Sequence, residues 1–196
     1  MELQHVNVKL LVSKPEEVAL EPLIPVFHGW IQEQVFEELL LDVADYRHVH
    51  AGPGVVLVGH QANYSVDNTD ERMGVRYNRK AALNGSNQDR LCQAMRAAAV
   101  ACQRLEKEPR LKGTLGFNGR EMELFINDRL LAPHDDATRE ALRAEFEGFF
   151  EKLFGGSEYS LSYVSDRRRP FGVSVKSSRV FATADLLANL MANLDS

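Results

Sequence analysis

Residues 55–80 read VVLVGHQANYSVDNTDERMGVRYNRK, and the fold turns on how this stretch is read. An apolar run, residues 55–58, leads into Gly59 and His60. A polar segment rich in Asp, Asn and Thr follows, and then Met73, Val75 and Tyr77 alternate with polar residues. Apolar alternation bounded by turn-forming residues reads as a β-hairpin, here with a long connection. The pattern recurs. From Tyr163 the chain reads YVSDRRRPFGVSVKS, so that Tyr64, Asp67, Gly74 and Val75 align with Tyr163, Asp166, Gly172 and Val173 across a single gap.

The flanking segments extend the match. Upstream, residues 5–13 (HVNVKLLVS) alternate as a strand. Leu23, Phe27, Trp30, Ile31 and Val35 then recur at helical spacing; Phe36 and Leu39 to Leu41 either close the same helix, the preferred reading, or begin a strand. Residues 42–54, which carry His48 and His50 and end in Gly-Pro-Gly, read as a loop. Downstream of the hairpin, Ser86 with Asp89 forms an N-terminal cap for a helix whose buried stripe is Leu91, Met95, Ala98, Cys102 and Leu105. A glycine-bearing segment, residues 110–120, marks the internal boundary.

Beyond the boundary, residues 121–127 (EMELFIN) form a strand. Asp136 caps a helix carrying Leu142, Phe146, Phe149, Phe150 and Leu153, which the Gly155-Gly156 pair ends. Residues 158–164 and 171–176 make the second hairpin. Thr183 caps a last helix with Leu186, Leu187, Leu190, Met191 and Leu194. The expected order is β-α-β-β-α twice over, giving one domain of two pseudo-repeats, residues 1–109 and 110–196. Its class is α+β, with a largely antiparallel sheet and helices packed on one face. At the level of architecture alone, such tandem modules resemble the duplicated ligand-binding domains of the GyrI-like and SOUL kind. No sequence motif accompanies that resemblance and it carries no function with it; if the halves are related, their sheets either join edge to edge or face each other across a shared cleft.

Composition narrows the function classes. The net charge is −5 with 26% charged residues, so the basic footprint of a general nucleic-acid binder is missing. No apolar run is long enough for a membrane span and no signal-peptide pattern opens the sequence, so a cytoplasmic protein with no membrane partner is expected. Cys92 and Cys102 lie ten residues apart in one helix, about 15 Å along its axis and beyond disulfide reach. They read as buried thiols.

Three groups of residues are candidates for chemistry. Arg76 and Arg79 of the first hairpin, with Arg168 and Arg169 of the second, would recognise a carboxylate or phosphate through paired donors. The alternative is that these arginines are solvated and keep the sheet edge from aggregating. Tyr64, Tyr77 and Tyr163 would supply the surface for an organic anion if alternation sets them on the helix-free face; otherwise they pack in the core. His48, His50 and His60 are the metal candidates, since His-x-His on an extended segment sets both rings on one side. As loop residues they would simply be solvated.

The leading expectation is a small-molecule-binding or sensing protein with an organic anion held between the halves. A metal-dependent hydrolase using the three histidines is the first alternative. A partner-binding module docking through the last helix is the second, and a homodimer stays open.

Overall fold

The computed structural model describes residues 1–192. Eight strands form one sheet in the order β2-β3-β4-β5-β1-β6-β8-β7, with every neighbouring pair antiparallel. They are β1 (Val6–Val12), β2 (Leu40–Tyr46), β3 (Gly54–Gly59), β4 (Ala62–Asp67), β5 (Gly74–Arg79), β6 (Phe117–Ile126), β7 (Tyr159–Tyr163) and β8 (Phe171–Ser177). The helices are α1 (Leu23–Glu33), α2 (Asn87–Glu106), α3 (Asp136–Leu153) and α4 (Thr183–Met191). This is the expected α+β class, an antiparallel sheet with its helices on one face. Among the described residues no helix is long and apolar enough to cross a membrane.

Register decides which side chains meet the helices. One row crosses the sheet from Tyr64 through Tyr77, Val8, Leu124 and Val173 to Tyr163. It faces the helices: α2 packs on β1 and β5, α1 on β2 and β3, and α4 on α2 and β6. The neighbouring row, on the opposite face, runs Ser65, Arg76, Lys9, Glu123, Ser174, Ser162. The helix face is sealed by phenylalanines. Phe146 stacks on Phe171 at 6.3 Å, and Phe150, Phe154 and Phe181 continue the cluster. Phe146 is fully buried, and truncating such a side chain to alanine costs about 3–5 kcal/mol.

The helix boundaries follow local chemistry. Ser86 and Asp89 form the expected reciprocal cap on α2. On α3 the cap is Asp135, one residue earlier than expected, accepting from the Thr138 amide at 2.8 Å. Gly155 and Gly156, at φ +56° and +74°, end α3 as the sequence indicates. The apolar stripe of α4 completes the core through Leu186 and Leu190, while Leu194 lies outside the described residues.

Two segments differ from the reading of the sequence. Gln34 adopts a left-handed conformation (φ +47°) that stops α1, so the extension of this helix to Leu41 does not form. Residues 40–46 pair with β3 instead, as an edge strand. The long connection inside the first hairpin contains β4, so residues 54–79 form a three-stranded meander.

The residue match between the hairpins also shifts. Tyr64 pairs with Tyr77, whereas Tyr163 pairs with Val173. With Val75 set against Val173, the counterpart of Tyr64 is therefore Leu161. Strand order matches only in part about the central pair: β5 flanks β1 as β8 flanks β6, with β4 and β7 next, while β2 and β3 have no counterpart among the described residues.

Candidate functional site

An open cavity of about 430 Å³ lies between α2, the helix face of β4 and β5, and the segment after α1. Phe36 and Tyr64 stack on one wall, with ring centroids 4.6 Å apart. Tyr64 donates to Glu38 Oε1 at 2.6 Å, and Gln93 Nε2 donates to the Tyr77 hydroxyl at 2.9 Å. Burial, reinforced by the bond to Glu38, pushes the Tyr64 hydroxyl well above its ordinary pKa, and burial pushes Tyr77 up too. Both stay protonated; Tyr64 forms part of the wall, and Tyr77 lies buried behind it, anchoring Gln93.

Charge enters this cavity from two helix-face arginines. Arg79 is held by backbone carbonyls and a side-chain amide: Nε donates to Ala81 O at 2.8 Å and Nη1 to Gln61 Oε1 at 3.3 Å. Arg96, exposed on α2, also lines the cavity. Neither arginine has a carboxylate in ion-pair range among the described residues. Glu37 and Glu38 also line it, Glu38 with its Oε2 buried, so the lining carries both signs. The arrangement can bind and orient a charged small molecule. It sets no nucleophile beside a base.

The sheet separates the residues that the sequence brought together. Tyr64, Tyr77 and Tyr163 all lie on the helix face: the first two are buried, and Tyr163 sits beneath the Arg139 guanidinium at 4.5 Å. Arg76 and Arg169 converge on the other face, over the Phe125 ring at 5.6 and 4.9 Å. Both have carboxylate partners, Asp67 at 3.2 Å and Asp70 at 2.8 Å. Arg168 is 90% exposed in the turn after β7, where it holds Asp166. Of the sequence candidates, only Tyr64 and Arg79 share the cavity.

The histidines are not assembled. His48 and His50 precede β3 and His60 follows it, so about 20 Å of strand separates them. Among the described residues no three His, Cys, Asp or Glu side chains are grouped to hold a metal ion.

No family model, curated protein or solved structure matches this chain. The architectural resemblance to GyrI-like and SOUL domains therefore brings no ligand and no residue with it.

The helix-free face carries a network that the sequence did not signal. Lys9, fully buried, donates to Asp67 Oδ1 at 2.6 Å and to Thr69 O at 3.3 Å. Asp67 also accepts from the Thr69 amide and hydroxyl, each at 3.0 Å, and from Arg76. Burial outweighs the attraction of Asp67 and holds the Lys9 ammonium below its ordinary pKa. Arg72 bridges Glu123 at 3.2 Å and Glu121 at 3.4 Å, and Lys176 closes on Glu121 at 2.5 Å. These contacts fold the 68–72 segment over β1 and β6.

Proposed function

We propose that the protein binds a small organic anion in the helix-face cavity and acts as a binding or sensing module. One observation carries this reading: Arg79 and Arg96, both without a carboxylate partner among the described residues, line the same aromatic-walled cavity. Arg79, held by carbonyls and an amide rather than by a carboxylate, keeps its full charge available to a ligand carboxylate. Glu37 and Glu38 favour a ligand that also carries an amine or hydroxyl, which makes amino acids and related zwitterions the first class to test. Duplication of one unit is a separate proposal, supported by the strand order about β1 and β6. The cavity itself is built from residues 35–100 alone, so the binding reading does not depend on it.

The test is a thermal-shift screen of the whole chain against amino acids, dicarboxylates, nucleotides and porphyrins. A ligand at a hundred times its Kd stabilises by about 2.7 kcal/mol, or roughly 5–10 °C in Tm for a chain of this size. Arg79→Ala is expected to abolish the shift while leaving the circular dichroism spectrum unchanged. A screen without any shift, or a shift that survives Arg79→Ala, refutes the proposal.

A further inference from the structure

The sheet ends on two edges of different character. At one edge, β2 carries Asp42 and Asp45 and an irregular register between Leu40 and Asp42. Charge and bulging of this kind prevent another strand from adding. At the other edge, β7 reads YSLSY, pairs with β8 without interruption, and has neither charge nor proline. Such a strand is an open template.

Its free groups can be assigned. The Val164 amide donates to Gly172 O at 3.0 Å, and the Ser178 amide donates to Glu158 O at 2.9 Å. In an antiparallel ladder, hydrogen-bonded positions alternate with non-bonded ones. Even positions of β7 thus bond to β8, and Tyr159, Leu161 and Tyr163 turn their N–H and C=O outward. The three are symmetric about Leu161. A second β7 laid antiparallel across a dyad at Leu161 matches Tyr159 to Tyr163 of the other copy and Leu161 to itself, satisfying every outward group.

Charge points to the same symmetry. A groove of about 860 Å³ runs along β7, floored by Arg139, Arg143, Glu147 and Glu151 of α3. Spaced four apart, they form one stripe along the helix. The arginines lie at the Tyr163 end, with Arg139 over that ring, and the glutamates at the Tyr159 end, where the Tyr159 hydroxyl donates to Glu147 O at 3.2 Å. Two of the three neighbouring pairs in this stripe are like-charged, and arginines toward the N-terminus with glutamates toward the C-terminus oppose what an isolated helix favours, although Arg143 also pairs with Glu140 at 2.6 Å. A dyad that reverses β7 reverses α3 as well, so the arginine end of one stripe meets the glutamate end of its copy.

We infer that the protein forms a two-fold dimer through antiparallel pairing of β7 with the β7 of a second copy, continuing the sheet across both chains. The experiment is sedimentation of the full chain over a concentration series, with a mass near twice 22.0 kDa expected for the wild type. Leu161→Pro removes an amide that points outward, leaves the ladder to β8 intact, and is expected to weaken association about thirtyfold through two lost hydrogen bonds.

A second pair of variants does not disturb any strand. One chain carries Arg139→Glu and Arg143→Glu, and the other carries Glu147→Arg and Glu151→Arg. Each alone is expected to be monomeric through repulsion, and a mixture of the two to form the dimer. A wild type that stays monomeric at every concentration overturns the inference. A dimer indifferent to Leu161→Pro and to the charge variants overturns it equally.

Discussion

Replacing Lys9 with methionine tests whether the charge network on the helix-free face holds the 68–72 segment in place. Lys9 and Asp67 are 0% and 1% exposed, so the ion pair is shut off from water. Removing one partner of a buried pair leaves the other uncompensated, which costs about 3–5 kcal/mol. Asp67 keeps the Thr69 amide and hydroxyl and Arg76 at 3.2 Å, so the loss falls at the lower end, about 3 kcal/mol. With a urea m-value of about 2 kcal/mol per molar, the unfolding midpoint drops by roughly 1.5 M. Lys9→Met combined with Asp67→Leu removes both charges, and such replacements are neutral or stabilising by about 1–4 kcal/mol in other buried pairs. The double variant is therefore expected to recover most of the loss, less what Arg76 gives up.

The pH dependence has a definite sign. The folded-state pKa of Lys9 lies below 10.5, so the unfolded chain binds its proton more tightly. The resulting penalty is complete below the folded pKa and fades as pH rises toward 10.5. Urea titrations at neutral and alkaline pH measure both effects. A single variant that loses under about 1 kcal/mol, or a double variant no better than the single, refutes the argument.

Two further outcomes follow from local geometry. Gly54 has φ +65°, and a Cβ there would lie 2.1 Å from the Val66 carbonyl oxygen, so Gly54→Ala is expected to cost about 3 kcal/mol or more. Chemical denaturation reads this directly, and a loss within experimental error would contradict the β3–β4 register. Asp45 and Asp166 are lowered to about 2 by hydrogen bonds from Arg47 and Arg168. Their contribution is present above the usual value of 3.8 and is lost as pH falls through about 2. Carboxyl chemical shifts followed through an acid titration check it, and Asp166 titrating at 3.8 would show that its turn is not held by Arg168.

The elements legible in the sequence were those with a single strong period. α2 and α3 bury one face against many partners and β1 sets its apolar residues Val6, Val8 and Leu10 on one face, so their apolar spacing stands out, and Ser86 and Asp89 announce the start of α2. β2 was hidden because it is an edge strand with little to bury: Leu41, Asp42, Asp45 and Tyr46 are exposed. β4 was hidden for the opposite reason. Asn63, Ser65 and Asp67 alternate with Ala62, Tyr64 and Val66, and the polar set resembles a turn although it faces a covered network.

The same misreading concealed Lys9, a lone charge in VNVKLLV that alternation assigns to solvent. Its ammonium is capped by Asp67 and by the Thr69 carbonyl of the 68–72 segment, and no local pattern encodes that closure. The cavity was half legible. Arg79 and Tyr64 were candidates, but Gln93 and Arg96 read as the outer face of α2, and Glu38 as part of a helix that stops before it.

The central position of β1 has a consequence for synthesis. This strand leaves the ribosome before either of its neighbours, β5 and β6, exists. About a hundred residues separate it from β6, which at 5–20 residues per second is roughly 5–20 s of translation. Throughout that interval a strongly apolar segment has nothing to pair with on its second side. The nascent chain is thus expected to be a chaperone client early and to complete its sheet late, and synonymous codons between β5 and β6 become a means of adjusting its yield.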